Sequence, residues 1–223
     1  MFKFVRSLSL FAAFGSLLAV PGAYAQSDTT VEHKQLERMD LALTIPYETT
    51  RSSSGRSASS IVNSQIVSSA AGALFTFRYT YSPFIGLEMN YKRSRFTQNF
   101  TYTPFPYTTT DVLGVEASVI ETSWGYVAHA PSTYAGIRPF GGIGVGSLEF
   151  RPTPNGGQGL SRQFRLESYW SLGADYTILH SHFGARAQIR QLFYKAPDFG
   201  QNYLTSGAHT STLEPSIGFF ARF

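Results

Sequence analysis

Beyond its first few dozen residues this chain alternates apolar and polar side chains over long stretches, the period of a strand with one greasy face. Leu36 to Glu48 sets Met39, Leu41, Leu43, Ile45 and Tyr47 against Asp40, Ala42 and Thr44. After a Ser-, Thr-, Arg- and Gly-rich stretch, Thr49 to Ala70, which predicts an exposed loop with little order of its own, the alternation resumes. Phe75, Phe77, Tyr79 and Tyr81 oppose Thr76, Arg78 and Thr80; a turn at Ser82 to Phe84 follows, and then Ile85, Leu87, Met89 and Tyr91 oppose Gly86, Glu88, Asn90 and Lys92. Two such runs with a three-residue connection predict a hairpin.

Ser94 to Thr110 predicts the outer parts of two strands and the loop between them. Val112 to His129 predicts a fourth strand, whose phase is awkward. If Leu113, Val115, Ala117 and Val119 face outward, Glu116 points inward, but Glu121 then points out and Trp124 and Tyr126 point in. A bulge near Ile120 would repair this, or the upper half of the strand stands in water. Tyr134 to Phe150, Phe164 to Leu179, Phe183 to Tyr194 and Thr210 to Phe223 complete eight strands. Long connections follow strands one, three, five and seven and short ones follow two, four and six, the layout of an up-and-down barrel with loops at one end and tight turns at the other.

Composition fits a barrel in lipid. Aromatics make up 15% of the chain and charged residues 14%, whereas water-soluble domains carry about a quarter charged residues. Membrane barrels show alternation with aromatic girdles instead of long apolar runs. The start of the chain has Lys3 and Arg6, an apolar run from Leu8 to Val20, and Ala23-Tyr24-Ala25 before Gln26. This predicts a secretory signal peptide over residues 1–25, its apolar run being too short for a membrane helix. A short periplasmic lead, 26–35, and a barrel over 36–223 complete the expected organisation. The leader holds two of the 18 basic and none of the 14 acidic residues, which leaves a charge of +2. The scattered cations and the export signal argue against a nucleic-acid partner. There is no Cys, hence no disulfide, thiol nucleophile or lipidated Cys.

The chain resembles the small OmpA-like and opacity-type outer-membrane β-barrels. The residues that carry the likeness are Leu172-Gly173-Ala174-Asp175-Tyr176, Gly184-Ala185-Arg186 through Arg190, and Glu214-Pro215-Ser216-Ile217-Gly218-Phe219 with terminal Phe223. The resemblance implies an all-β, eight-stranded antiparallel up-and-down transmembrane β-barrel in the outer membrane. It also implies that Ile217, Phe219, Ala221 and Phe223 form the terminal signal read by the barrel assembly machinery. Outer-membrane lipid and lipopolysaccharide are the expected surroundings, and a monomer the expected state.

The faces opposite the apolar ones collect Arg78, Glu88, Lys92, Glu116, Arg138, Asp175, Arg186 and Arg190. Eight strands leave an interior just wide enough for side chains, so this set predicts a lumen filled by ion pairs. The expected role is therefore structural or loop-mediated. A narrow passive channel for small solutes is the alternative, and a lipid A-modifying enzyme the less favoured one. Candidate chemistry elsewhere is thin. The run Gly141 to Gly146 lacks the Lys-Ser or Lys-Thr of a phosphate loop and predicts inward glycines that make room for large charged side chains across the lumen. His209, Ser211 and Glu214 supply the residue types of a hydrolytic triad, but Glu214 falls on the opposite face. His180 and His182 lack a third metal ligand, and His33 and His129 stand alone. No catalytic residue, metal or cofactor is expected.

Overall fold

The computed structural model describes residues 38–56, 60–106, 108–179 and 182–223. The expected leader and lead, 1–35, lie outside these residues. Ten strands form: β1 (Met39–Thr50), β2 (Ser53–Arg56), β3 (Ser60–Val67), β4 (Ala70–Thr80), β5 (Ile85–Pro104), β6 (Asp111–His129), β7 (Ile137–Pro152), β8 (Gln163–Leu179), β9 (Phe183–Lys195) and β10 (His209–Arg222). Eight of them, all but β2 and β3, make the barrel wall. Every neighbouring pair is antiparallel, β5 pairs with β6, and β10 returns to β1 with Leu43 opposite Phe219 and Ile45 opposite Ile217. The eight-stranded wall therefore closes and has no edge, as a wall in lipid requires, while the short β2 is left as the edge of the hairpin above it.

The stretch expected to be a loop over 49–70 is ordered instead. β1 continues to Thr50, β2 and β3 form a hairpin, and β3 pairs with the upper end of β5, Gln65 opposite Phe100. Val62 and Gln65 are buried there. The alternation in this stretch is masked in sequence by its many Ser residues, because its inward positions are neither uniformly apolar nor uniformly polar.

Strand β5 sets the vertical scale. It has 20 residues, whereas a membrane strand needs about 9–11. Its outward side chains run Ile85, Leu87, Met89, Tyr91, then Arg93, Arg95, Thr97, Asn99; its inward ones run Glu88, Asn90, Lys92, Ser94, then Phe96, Gln98, Phe100. Polarity exchanges faces half-way up, between Tyr91 and Phe96. Below the exchange the outer wall is apolar, with Leu41, Leu43, Phe75, Phe77, Trp124, Ile143, Leu172 and Ile217 all exposed. Above it, the interior is a hydrophobic core of Phe96, Phe100, Val115, Ala117, Val119, Leu148, Phe150, Leu192 and Phe199.

The same exchange resolves β6. Its pairing with β5 and β7 runs without a register break, so there is no bulge near Ile120. Val115, Ala117, Val119, Glu121 and Ser123 all point inward and are buried, and Trp124 and Tyr126 point out. Taking Val115 and Val119 as lipid-facing inverted the phase, because the upper interior is as apolar as the lower exterior.

Candidate functional site

Among the described residues the densest chemistry lies in the lower lumen, in two connected ionic clusters. Nearer the turn end, Arg186 donates from Nε to Asp175 Oδ1 at 2.7 Å and from Nη2 to Asp175 Oδ2 and Asp40 Oδ1, both at 2.9 Å. Arg78 donates from Nε to Glu88 Oε2 at 3.0 Å and stands 3.9 Å from Asp175. Its guanidinium lies over the Phe140 ring at 3.9 Å, with Arg186 over Phe220 at 5.3 Å. The rings meet the faces of the cations where no oxygen can, a cation–π arrangement.

One step up, Lys92 is surrounded by Glu48 at 3.4 Å, Glu121 at 3.0 Å and Glu214. Arg190 bridges Glu121 and Glu214, reaching the latter at 3.2 Å. Tyr169 joins the two clusters: its hydroxyl donates to Glu88 Oε1 at 2.8 Å and accepts from Asn90 Nδ2 at 3.1 Å, and its ring lies under Arg190. Arg78 and Arg186 have no exposed surface, and Lys92 and Arg190 have 1%. Charges taken out of water this completely are tolerable when each finds opposite partners. Four buried cations here face seven buried carboxylates, Asp40, Glu48, Glu88, Glu121, Glu167, Asp175 and Glu214. Glu167 differs from the rest, since neither of its buried oxygens has a hydrogen-bond partner among the described residues.

The ionic clusters end at an apolar ceiling. The cavity between them, walled by Glu48, Lys92, Glu214, Phe96, Leu148, Phe150 and Tyr194, has a volume of about 10 Å³, room for one water at most. Above the core, the 196–208 connection folds over the mouth. Two of its own residues, Phe199, at φ 52°, and Leu204, are buried in the core below. Gln163 holds this loop from the wall: its Oε1 accepts the backbone N–H groups of Asp198 and Phe199 at 2.9 Å, and its Nε2 donates to Asp198 Oδ1 at 2.6 Å. Burial acts to raise the Asp198 carboxyl; the Gln163 and Gly200 hydrogen bonds and the Arg165 guanidinium at 3.0 Å outweigh it and hold it below the usual range.

Two solved structures superpose on most of the chain. OprG, an outer membrane protein from Pseudomonas aeruginosa, matches with a TM-score of 0.54 at 18% identity, covering 83% of this chain and 95% of that one. Neisserial surface protein A matches with a TM-score of 0.52 at 12% identity, covering 83% and 97%. This chain has the fold of the small OmpA-like outer-membrane β-barrels. No protein-family model matches the sequence, nor does any curated protein.

Within that fold the expected lumen residues separate. Arg78, Glu88, Lys92, Asp175, Arg186 and Arg190 lie inside the barrel. Arg138 stands at the turn-side mouth, half-buried, and donates to the Pro83 carbonyl at 2.7 Å. Glu116 is not in the lumen: it faces outward and accepts from Arg95 Nε at 2.6 Å, a consequence of the phase of β6. Glu121 takes the inward place, and Asp40, Glu48, Glu167 and Glu214 join it. The inward glycines do not all make room for large charged side chains: a Cβ on Gly144 would stand 2.5 Å from the Tyr169 ring and one on Gly125 would collide with the Tyr169 hydroxyl, whereas Gly142 and Gly146 face the small side chains of Ser171 and Ser123. His209 and Ser211 project outward, away from Glu214. His182 is exposed, and His180 lies outside the described residues.

Proposed function

We propose that this protein is a sealed outer-membrane barrel that acts through its long extracellular half and loops, as a structural or surface-interaction element. The observation that carries the reading is the filling of the lumen. A solute entering from the turn end meets buried ion pairs, then an apolar core, then a loop pinned across the mouth. Passage would require separating Lys92 and Arg190 from their carboxylates and unpacking Phe150 and Phe199, and removing one partner of a buried pair costs about 3–5 kcal/mol.

The β2–β3 hairpin and the connections 105–110, 153–162 and 196–208 crown the rigid wall, where binding residues concentrate. The closed eight-stranded wall offers no edge to another copy, and the edge strand of the sheet, β2, has only four residues, which supports a monomer. On the same reading Ile217, Phe219, Ala221 and Phe223 are the segment engaged by the assembly machinery, and lipid and lipopolysaccharide surround the belt. Planar-bilayer recording of refolded residues 26–223 tests the seal. A silent baseline is expected; steady, discrete openings would establish the narrow-channel alternative instead.

A further inference from the structure

On the outer wall, immediately above the apolar belt, three arginines surround one concavity. Arg93 and Arg95 of β5 project from alternate positions, and Arg151 of β7 reaches toward them across Ser118 of β6, which pairs with both Arg95 and Arg151. These residues, with Ala71, Pro152, Thr153 and Pro154, line a hollow of about 480 Å³. Two of the cations are partly engaged: Arg95 gives its Nε to Glu116, and Arg151 gives an Nη2 to Glu149 at 2.6 Å. Their remaining N–H donors have no partner among the described residues, and their side chains are 62% and 50% exposed. Arg93 is exposed and has no side-chain hydrogen bond or ion pair among the described residues.

Glu116 and Glu149 each offset one of the three cations, which leaves Arg93 uncompensated and the hollow with an excess positive charge that favours an anion among the guanidinium groups. The planar fork of arginine matches phosphate, donating two parallel hydrogen bonds to its oxygens. Position argues for the source of that phosphate. Directly below Arg93 on the same strand face is Tyr91 and then the apolar Met89 and Leu87, so an anion in the hollow stands one step above side chains that face acyl tails. Ala71, Pro152 and Pro154 give the rim an apolar surface suited to the rest of such a molecule.

We propose that Arg93, Arg95 and Arg151 form a binding site for the phosphorylated sugar headgroup of an outer-leaflet glycolipid, with the acyl chains lying against the belt below. The proposal rests on the reading that the belt marks the membrane. The site would fix the barrel's height in the leaflet and link its extracellular half to the lipid around it.

Native mass spectrometry of residues 26–223, folded in detergent, reads the binding directly. Bisphosphorylated lipid A, its dephosphorylated form, phosphatidylglycerol and inorganic phosphate are the probes. Bisphosphorylated lipid A is expected to bind at concentrations about tenfold below the dephosphorylated form, the equivalent of one charge-assisted hydrogen bond. Arg93→Gln should weaken it, and the triple Gln variant should abolish the preference, with the folded, heat-modifiable band retained in both. Equal binding of the dephosphorylated lipid, an unaffected triple variant, or equal occupancy by phosphatidylglycerol or inorganic phosphate would overturn the assignment. Thiol labelling at positions 93 and 95 separates the two levels of the argument. Labels buried in lipid would sink the membrane reading itself, whereas water-accessible labels with indifferent lipid A binding would remove this site alone.

Discussion

The two halves of this barrel solve the same packing problem with opposite materials. On the proposed reading the exterior of the lower half faces acyl chains, so the hydrophobic effect does not hold the interior together, and the lumen is filled by charges that must satisfy one another. In the upper half the exterior carries Arg93, Arg95, Glu116 and Arg151 and the interior carries Phe96, Phe100, Val119 and Phe150. That is the arrangement of a water-soluble domain, held by apolar burial. One continuous set of strands thus changes its source of stability near Lys92, and replacement by a bulky apolar side chain should be costly below that level and tolerated above it.

The largest effects should come from removing an ion-pair partner below that level and apolar volume above it. Arg190→Met leaves Glu121 and Glu214 buried around Lys92 alone, and should cost about 3–5 kcal/mol. Phe150→Ala in the upper core should cost a similar 3–5 kcal/mol through the cavity it opens, whereas Phe150→Leu, which keeps most of the apolar volume, should cost less than about 1.5 kcal/mol. Urea titration in vesicles, followed by emission from Trp124 and Trp170, measures all three. If Arg190→Met proved neutral, the lower lumen would not be held by ion pairing.

A smaller effect of opposite sign sharpens the account of the ionic half. Glu167 contributes an excess carboxylate with no hydrogen-bond partner among the described residues, so Glu167→Gln should stabilise the barrel by about 1–2 kcal/mol, the order of a desolvation penalty relieved. Destabilisation in the same titration would show that Glu167 is a working member of the lattice.

The smallest effect concerns the loop over the mouth. Asp198 is held below the usual carboxylate range in the folded state, so its contribution is complete above the unfolded value near 3.9 and is lost as pH falls through the lower folded value. Amide exchange in residues 196–208 should accelerate below about pH 4. Asp198→Asn should show faster exchange already at pH 7 and little further change on acidification. Identical exchange in both proteins would mean that Gln163 and the buried Phe199 hold the loop unaided.

Alternation made the barrel legible in the sequence, because eight strands with one lipid-facing side each leave the same period-two signature. Most inward charges followed from it, since a cation such as Arg186 opposite Ala185 and Ala187 has one sensible face in lipid. Glu116 and Glu121 were assigned to the wrong faces for a physical reason: the rule that apolar means outward holds below Lys92 and reverses above it, and β6 crosses that level without a bulge. The loop at the mouth was hidden for another reason. Phe199 reaches the core through a left-handed backbone and a hydrogen-bonded partner 36 residues away, Gln163, and neither leaves a periodic trace.

A chain without cysteine permits the most direct test, a single-cysteine scan along the 20 residues of β5 with a membrane-impermeant thiol reagent applied to the barrel in vesicles. Reaction is expected at outward positions from Arg93 upward, none at Ile85, Leu87, Met89 or Tyr91, and none at the inward positions Glu88, Asn90, Lys92, Phe96 and Phe100. Labelling of 88, 90 and 92 would reveal a water-filled lumen, and protection of 93 to 99 would place the upper half in lipid; either result would contradict a sealed barrel whose polarity changes faces half-way up.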